Sequence, residues 1–141
     1  MKNGKPADFP WILPYMMVKN GQAAQQFYEQ ALGFVTKDAV KNETGDVIHL
    51  EMLYQGQIIM FGQEGAYECS TTKSPKSSKS ESPVTMILYH ADVDSAYQQA
   101  IKAGAKSVSE PEDMFWGDRV CRVEDLDGYC WSIATAVKEH S

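Results

Sequence analysis

The chain has 141 residues, of which 13 are lysine or arginine and 19 are aspartate or glutamate, giving a formal net charge of −6. A chain of this length forms one domain with a sufficient core, so folding requires neither disulfides nor a structural metal. The arginines are Arg119 and Arg122 alone, and the lysines are scattered. This distribution argues against a nucleic-acid-binding face and against attachment to an anionic membrane surface.

The cysteines and the N-terminus indicate the compartment. Cys69, Cys121 and Cys130 are odd in number and form no CxxC pair, so no disulfide framework is expected. Residues 1–10 are polar and lack the apolar core of a signal peptide, and no apolar run is long enough to span a membrane. We therefore predict a cytoplasmic protein with reduced thiols.

The first half of the chain is predicted to form a βαβββ unit. Residues 11–18 are apolar and aromatic, as in a strand. A helix is predicted over 22–32, where small and aromatic residues recur at helical spacing, with Asn20 as its cap and Gly33 as its end. Three more strands are predicted, at 35–40, 46–54 and 57–61.

The second half repeats this order after a polar linker. Residues 67–83 are rich in Ser, Thr, Lys and Pro, which predicts a flexible loop because there is little apolar surface to bury. A strand at 84–90 and a helix at about 94–103 follow. The remaining strands are predicted at 106–109, 118–124 and 129–134.

The two halves superpose with a constant offset of 72 residues, which places Gly45 on Gly117 and Gly56 on Gly128. We therefore predict one α+β domain over 1–141, built from two tandem βαβββ modules at about 11–63 and 84–137. Each helix covers one face of its sheet. If the other two faces share a concave side, they form a cup of the kind that holds a small ligand.

The C-terminal region carries more specific patterns. Residues 115–119 read Phe-Trp-Gly-Asp-Arg, residues 125–128 read Asp-Leu-Asp-Gly, and residues 131–135 read Trp-Ser-Ile-Ala-Thr. In these motifs, and in the Phe27-Tyr28 pair that precedes Gly33, the chain resembles the PhnB-like branch of the vicinal oxygen chelate (glyoxalase/bleomycin-resistance/dioxygenase) superfamily. The resemblance implies a cupped mixed sheet and a homodimer whose cups lie near or across the interface.

The chain departs from the family at the metal site. Many relatives hold a divalent metal in the cup through His and Glu ligands on the first and fourth strands of each module. The matching positions here are Leu13, Met60, Thr85 and Ser132. Aliphatic and thioether groups are poor ligands for a hard or borderline dication, and neutral hydroxyls bind one weakly. We therefore predict that the usual metal site is absent and that the protein uses no cofactor.

Other polar residues are candidates for chemistry. His49 and Glu51 lie two apart on a strand and share a face, so they are a base with its orienting partner, a pair of metal ligands, or a solvated polar face. Arg119 near Trp116 has the chemistry to hold an anion and stack on a ring. The structural alternative is that Arg119 pairs with an acid such as Glu124 while Trp116 packs at the module junction.

The remaining residues predicted to line the cup lie on strands of both modules. They are Tyr15, Met60, Tyr89, Cys130 and Ser132. Cys130 shares strand parity with Ser132, but no base is evident beside its thiol.

Three functions remain open from the sequence. The first is metal-free binding of a small organic molecule in the cup. The second is a lyase, isomerase or dioxygenase-type enzyme that uses no metal or a displaced site at His49 and Glu51. The third is a non-catalytic structural or regulatory dimer. Whether the chain is an enzyme is undecided at this point, and neither nucleic acid nor membrane is an expected partner.

Overall fold

The structure is a computed structural model that describes residues 3–66 and 71–139. It confirms the α+β class and the tandem βαβββ modules. The elements in chain order are β1 (Tyr15–Val18), α1 (Gly21–Leu32), β2 (Val35–Lys41), β3 (Val47–Tyr54), β4 (Gln57–Gln63), β5 (Thr85–Tyr89), α2 (Val93–Lys102), β6 (Lys106–Asp113), β7 (Asp118–Glu124) and β8 (Cys130–Ala136). Within the described ranges, neither helix has the length and apolar character needed to cross a membrane.

The element boundaries follow from local chemistry. Asn20 caps α1 by accepting a hydrogen bond from the backbone nitrogen of Ala23 at 2.9 Å, and Gly33 ends the helix at φ 73°. Strand β1 is shorter than predicted because it begins only after Pro14, which has no N–H to donate. Strand β6 is longer than predicted and ends at Asp113.

Each module forms its own four-stranded sheet. The first sheet has the order β1-β4-β3-β2, and the second has the order β5-β8-β7-β6. In each, the first strand pairs in parallel with the fourth, and the other pairs are antiparallel. The register repeats between modules, because Tyr15 pairs with Met60 as Ile87 pairs with Ser132.

The two modules share one core on the sides covered by the helices. The helices contact each other, and Trp131 of the second sheet lies 5.7 Å from Tyr28 and 5.6 Å from Phe34 between ring centroids. Side chains alternate across a strand, so Met60 and Ser132 lie on the faces turned away from this core. Each sheet therefore offers one half of the predicted cup.

A buried carboxylate joins the modules. Asp125, in the turn between β7 and β8, accepts hydrogen bonds from the Tyr28 hydroxyl, from Nε1 of Trp131 at 2.9 Å, and from the backbone nitrogens of Asp127 and Tyr129 at 3.0 and 2.9 Å. Burial raises the pKa of Asp125, and these donors act in the opposite direction by stabilising its charge. The same burial, with the adjacent carboxylate, raises the pKa of Tyr28 well above its ordinary value.

Tyrosine hydroxyls tie the outer edges of β1 and β5 to the opposite module. The Tyr129 hydroxyl donates to the backbone oxygen of Met17 at 2.9 Å, and the Tyr54 hydroxyl donates to the backbone oxygen of Tyr89. Each edge strand is thus fixed at its C-terminal end by the module to which it does not belong.

The described part of the polar linker is hydrogen-bonded to both modules. The backbone nitrogen of Lys76 donates to the backbone oxygen of Asp127 at 3.0 Å, and Ser77 Oγ donates to Glu64 at 2.7 Å. A Cβ at Gly128 would lie 3.1 Å from the Lys76 nitrogen, so this contact is close. Part of the loop predicted over 67–83 is therefore a hydrogen-bonded turn, and positions 67–70 lie outside the described residues.

Asp127 gives the module junction a pH dependence. Burial, which outweighs the hydrogen bond from the backbone nitrogen of Lys19, raises the pKa of Asp127 from 3.8 to about 6. The folded state therefore holds this proton more tightly than the unfolded state. The stabilisation is complete below about pH 4 and is lost as the pH rises through 6.

We expect Asp127→Asn to raise the midpoint of thermal unfolding at pH 8 by roughly 2–6 °C, because the amide keeps an acceptor for Lys19 and removes the buried charge. The difference from wild type should disappear below about pH 4. Calorimetry across this pH range measures it, with the exposed Asp38→Asn as the control. If the Asp127→Asn variant is less stable than the wild type at pH 8, the result contradicts this explanation.

Candidate functional site

The outward face of the first sheet carries a polar cluster around an aromatic ring. Nε2 of His49 lies 3.1 Å from a carboxylate oxygen of Glu51, and the Tyr15 ring centroid lies 5.9 Å from that of His49. Tyr15 lies across Gly62, where a Cβ would come within 2.5 Å of its hydroxyl. Met60 pairs with both Tyr15 and Glu51 across β4, so it lies between them. We call these residues the first open face.

Charged groups from β2 and from the N-terminal segment complete this cluster. Nζ of Lys37 lies 3.4 Å from the second oxygen of Glu51 and 3.5 Å from the Asp8 carboxylate. The same ammonium lies 4.9 Å from the Phe9 ring centroid. Partial desolvation lowers the pKa of Lys37, but the carboxylates of Asp8 and Glu51 raise it by a larger amount. The pKa of Lys37 is therefore raised above its ordinary value. Lys37 therefore offsets the charge of Glu51, and His49 and Glu51 keep only about one-sixth of their side-chain surface exposed.

The outward face of the second sheet has a buried acid at one end. Asp118 accepts from the Tyr89 hydroxyl at 2.8 Å and from Nε1 of Trp116 at 3.0 Å. Tyr89 is 51% exposed and Trp116 is 45% exposed, so the acid fixes two rings whose faces remain accessible. The hydrogen bond to Asp118, followed by desolvation, raises the pKa of Tyr89. Trp116 therefore lies at the surface of the second module and not at the module junction.

The middle of this face carries small and neutral groups with one cation. Thr85, Cys130 and Ser132 lie there beside Ile87, which is 65% exposed. Arg122 pairs with Ser132 across β8 and has no carboxylate within ion-pair distance among the residues described. The second open face is defined as Thr85, Ile87, Tyr89, Arg122 and the buried Ser132, with Trp116 and Asp118 at one end.

Ile87 and Arg122 were not among the residues predicted to line the cup. The alternation of side chains along a strand could have identified both. Ile87 is two residues from Thr85 and from Tyr89, so it shares their face, and Arg122 points away from the buried neighbours Cys121 and Val123.

Arg119 does not lie on the second open face. Its guanidinium contacts Asp94 at 3.1 Å and Asp113 at 3.2 Å, which ties β7 to α2 and β6 on the helix-covered side. These acids raise its pKa, although desolvation lowers it. The sequence alternative of a structural ion pair describes Arg119 better than an anion-binding role does, but the partners are Asp94 and Asp113 rather than Glu124.

Three of the four positions matching the family metal ligands lie on the open faces as residues of weak donor chemistry, and the fourth, Leu13, precedes β1. Met60 is on the first face, and Ser132 is on the second with Thr85. Across residues 3–66 and 71–139 there is no group of three His, Cys, Asp or Glu side chains placed to hold a metal ion. These side chains do not fit a divalent cation.

Two clefts flank the outer edges of the first strands. One, of about 420 Å³, lies between β1 and the linker turn and includes Tyr15, Lys73 and Tyr129. The other, of about 390 Å³, lies between β5 and the turn after β3 and includes Ile12, Tyr54 and Ile87. Both are largely apolar and are of the size that accepts a small organic molecule.

Replacing Asp118 tests whether this acid raises the pKa of the Tyr89 hydroxyl. We expect Asp118→Asn to lower the pKa of Tyr89 toward 10, because an amide still accepts a hydrogen bond but adds no negative charge next to the phenolate. NMR of chain labelled at the tyrosine ring carbon measures it, with Tyr89→Phe to assign the signal. Asp46→Asn, in a distant loop, should leave the pKa of Tyr89 unchanged, and an unchanged value in Asp118→Asn would contradict the assignment.

Comparisons with known proteins place this fold in a family. A sequence profile described as "Glyoxalase/Bleomycin resistance protein/Dioxygenase superfamily" matches residues 9–133. An uncharacterized protein of Mycobacterium bovis is 32% identical over 130 residues, covering 92% of this chain and 86% of that protein. An uncharacterized protein of Mycobacterium tuberculosis strain H37Rv is also 32% identical over 130 residues, covering 92% of this chain and 76% of that protein.

Solved structures share the architecture at low sequence identity. TioX from Micromonospora sp. ML1 superposes with a TM-score of 0.71 at 21% identity, covering 89% of this chain and 97% of that one. A glyoxalase/bleomycin resistance protein/dioxygenase family enzyme from Burkholderia phytofirmans PsJN superposes with a TM-score of 0.67 at 17% identity, covering 86% and 94%. The structural likeness shows the fold, and the profile match extends over most of the chain. The chain therefore belongs to the glyoxalase/bleomycin resistance protein/dioxygenase superfamily.

Proposed function

We propose that this protein is a metal-free binding protein for a small organic molecule, belongs to the PhnB-like branch of its superfamily, and acts as a homodimer in the cytoplasm. The observation that carries the proposal is the composition of the two open faces. Where relatives place metal ligands, this chain has Met60 and Ser132, and around them it exposes rings and aliphatic groups.

The exposed apolar groups favour an organic ligand. Tyr15 is 49% exposed on the first open face, and Ile87 and Tyr89 are at least half exposed on the second. Aromatic side chains contribute large contact areas with few rotatable bonds, so they bind flat apolar molecules at a modest entropic cost. Ser132 is buried, so the hydroxyl of Tyr89 and the guanidinium of Arg122 would orient such a ligand.

A second copy of the chain would complete the cup. Within one chain the two open faces belong to two separate sheets. In the proposed dimer, the first face of one chain meets the second face of another and the two faces enclose the cup. Two such cups form in one symmetric dimer. The exposed Ile87 and Tyr89 supply apolar surface for that contact.

Support for the branch and the compartment comes from sequence features. The Phe-Trp-Gly-Asp-Arg motif of residues 115–119 now has a role, because Trp116 and Asp118 form the hydrogen-bonded end of the second open face. The thiols of Cys121 and Cys130 are free, in keeping with a reducing cytoplasm.

Thermal unfolding tests the metal-free part of the proposal. After treatment with a chelator, we expect the midpoint to stay within about 1 °C when zinc, nickel, manganese or iron(II) is added, because only a ligand of the native state raises it. A library of aromatic compounds should contain members that raise it by several degrees. A rise of several degrees with one metal at stoichiometric concentration would refute metal-free binding, and a library with no stabilising compound would favour the structural-dimer alternative.

Sedimentation velocity tests the proposed dimer. We expect Ile87→Glu to convert the dimer to a monomer, because it places a carboxylate in an apolar contact. Leu126→Glu, at an exposed turn outside both open faces, is the matched control and should stay dimeric. A wild-type chain that sediments as a monomer at all concentrations would contradict the shared cup.

A further inference from the structure

The His49–Glu51 pair on the first open face has the arrangement of a base with its orienting acid. Only one ring nitrogen of His49 is engaged, since Nε2 lies 3.1 Å from Glu51. An ionised carboxylate only accepts hydrogen bonds, so this contact places the imidazole proton on Nε2 and leaves the lone pair on Nδ1. In the described part of the chain, nothing hydrogen-bonds to Nδ1.

Charged groups on both sides hold the His49–Glu51 pair in position. Glu51 lies next to the ring that would become positively charged, and its other oxygen is held by Lys37 at 3.4 Å, so the carboxylate is fixed in position. Asp8 lies on the far side of Lys37 at 3.5 Å and adds a second negative charge. With a neutral imidazole, these three charged groups sum to one negative charge, which disfavours an anionic ligand at this face and favours one that arrives with its proton.

The neighbouring ring indicates the shape of the ligand. Tyr15 is half exposed, and its ring lies 5.9 Å from the imidazole with a 32° angle between the planes. Its hydroxyl sits over Gly62, where only a residue without a Cβ leaves room for it. A flat ring stacked on the exposed side of Tyr15 would bring a substituent near His49.

We propose that the His49–Glu51 pair is a proton-accepting site for an aromatic ligand that carries a weakly acidic O–H, such as a phenol, and that Tyr15 stacks on its ring. The proposal rests on the proposed function, because it names the ligand class of the same open face. In the bound state the proton passes from the phenol oxygen to Nδ1 of His49, which leaves a phenolate beside an imidazolium held by Glu51. No bond between heavier atoms breaks, and nothing is oxidised or reduced.

The test compares two probes that differ only at the acidic group, para-cyanophenol and its methyl ether. We expect wild-type protein at neutral pH to bind the phenol about tenfold more tightly than the ether, which is the effect of one hydrogen bond of about 1.4 kcal/mol. The ultraviolet band of the phenolate should also appear on binding, because the proton moves to the protein.

Variants separate the role of the pair from simple packing. His49→Phe keeps a flat ring and should bind both probes equally, and His49→Gln is a second variant in case the first does not fold. Glu51→Gln should keep the affinity for the ether and lose the phenolate band. His90→Phe and Glu43→Gln, which lie outside both open faces, are matched controls and should behave as wild type.

Each outcome decides the matter. Equal binding of the two probes to wild type, or a preference that survives His49→Phe, would overturn the proton-accepting role and leave organic-ligand binding intact. A preference without a phenolate band would show hydrogen bonding without proton transfer and overturn the transfer step. Failure of both probes to bind at millimolar concentration would count against the site and, together with an inactive compound library, against the proposed function itself.

Discussion

The fold depends on one buried carboxylate. Asp125 collects four donors, two from the side chains of Tyr28 and Trp131 and two from its own turn, and these donors belong to both modules. A charge at this depth is tolerated only when it is fully hydrogen-bonded, so the helix of the first module and the last strand of the second are held at a fixed separation. With that separation set, the helix-covered faces close over a common aromatic core, and the opposite faces are left outside.

This arrangement explains why the candidate site is divided. While Trp131 packs against Tyr28 and Phe34 in the shared core, Met60 and Ser132 lie on the outward faces of two different sheets. The first open face carries a titratable pair with its ring, and the second carries an acid that fixes two aromatic side chains. Different hydrogen bonds hold the side chains of each face in position. The two faces therefore differ chemically, although both modules have the same βαβββ order of elements.

Much of this was predictable from residues in sequence. Helix spacing together with Asn20 and Gly33 located α1, and the repeated glycines Gly56 and Gly128 located corresponding hairpins. Strand parity also put His49 and Glu51 on one face. Sequence periodicity does not predict which faces of the two sheets pack together, because another element can cover either face of a strand with alternating side chains. That depended on Asp125, whose sequence context is an ordinary polar turn. Periodicity also does not identify the acids that pair with Arg119, because Asp94 and Asp113 lie 25 and 6 positions away in the chain.

The tyrosine hydroxyls on Met17 and Tyr89 have a consequence for self-association. Both β1 and β5 are edge strands, and an edge with free peptide groups is a template on which another extended chain can add. Tyr129 and Tyr54 occupy the carbonyl at the far end of each template, so an added strand would find only the first few residues of the edge available. The duplicated architecture thus covers part of the β1 edge and part of the β5 edge, each with a side chain from the other repeat, which disfavours open-ended growth along these two edges.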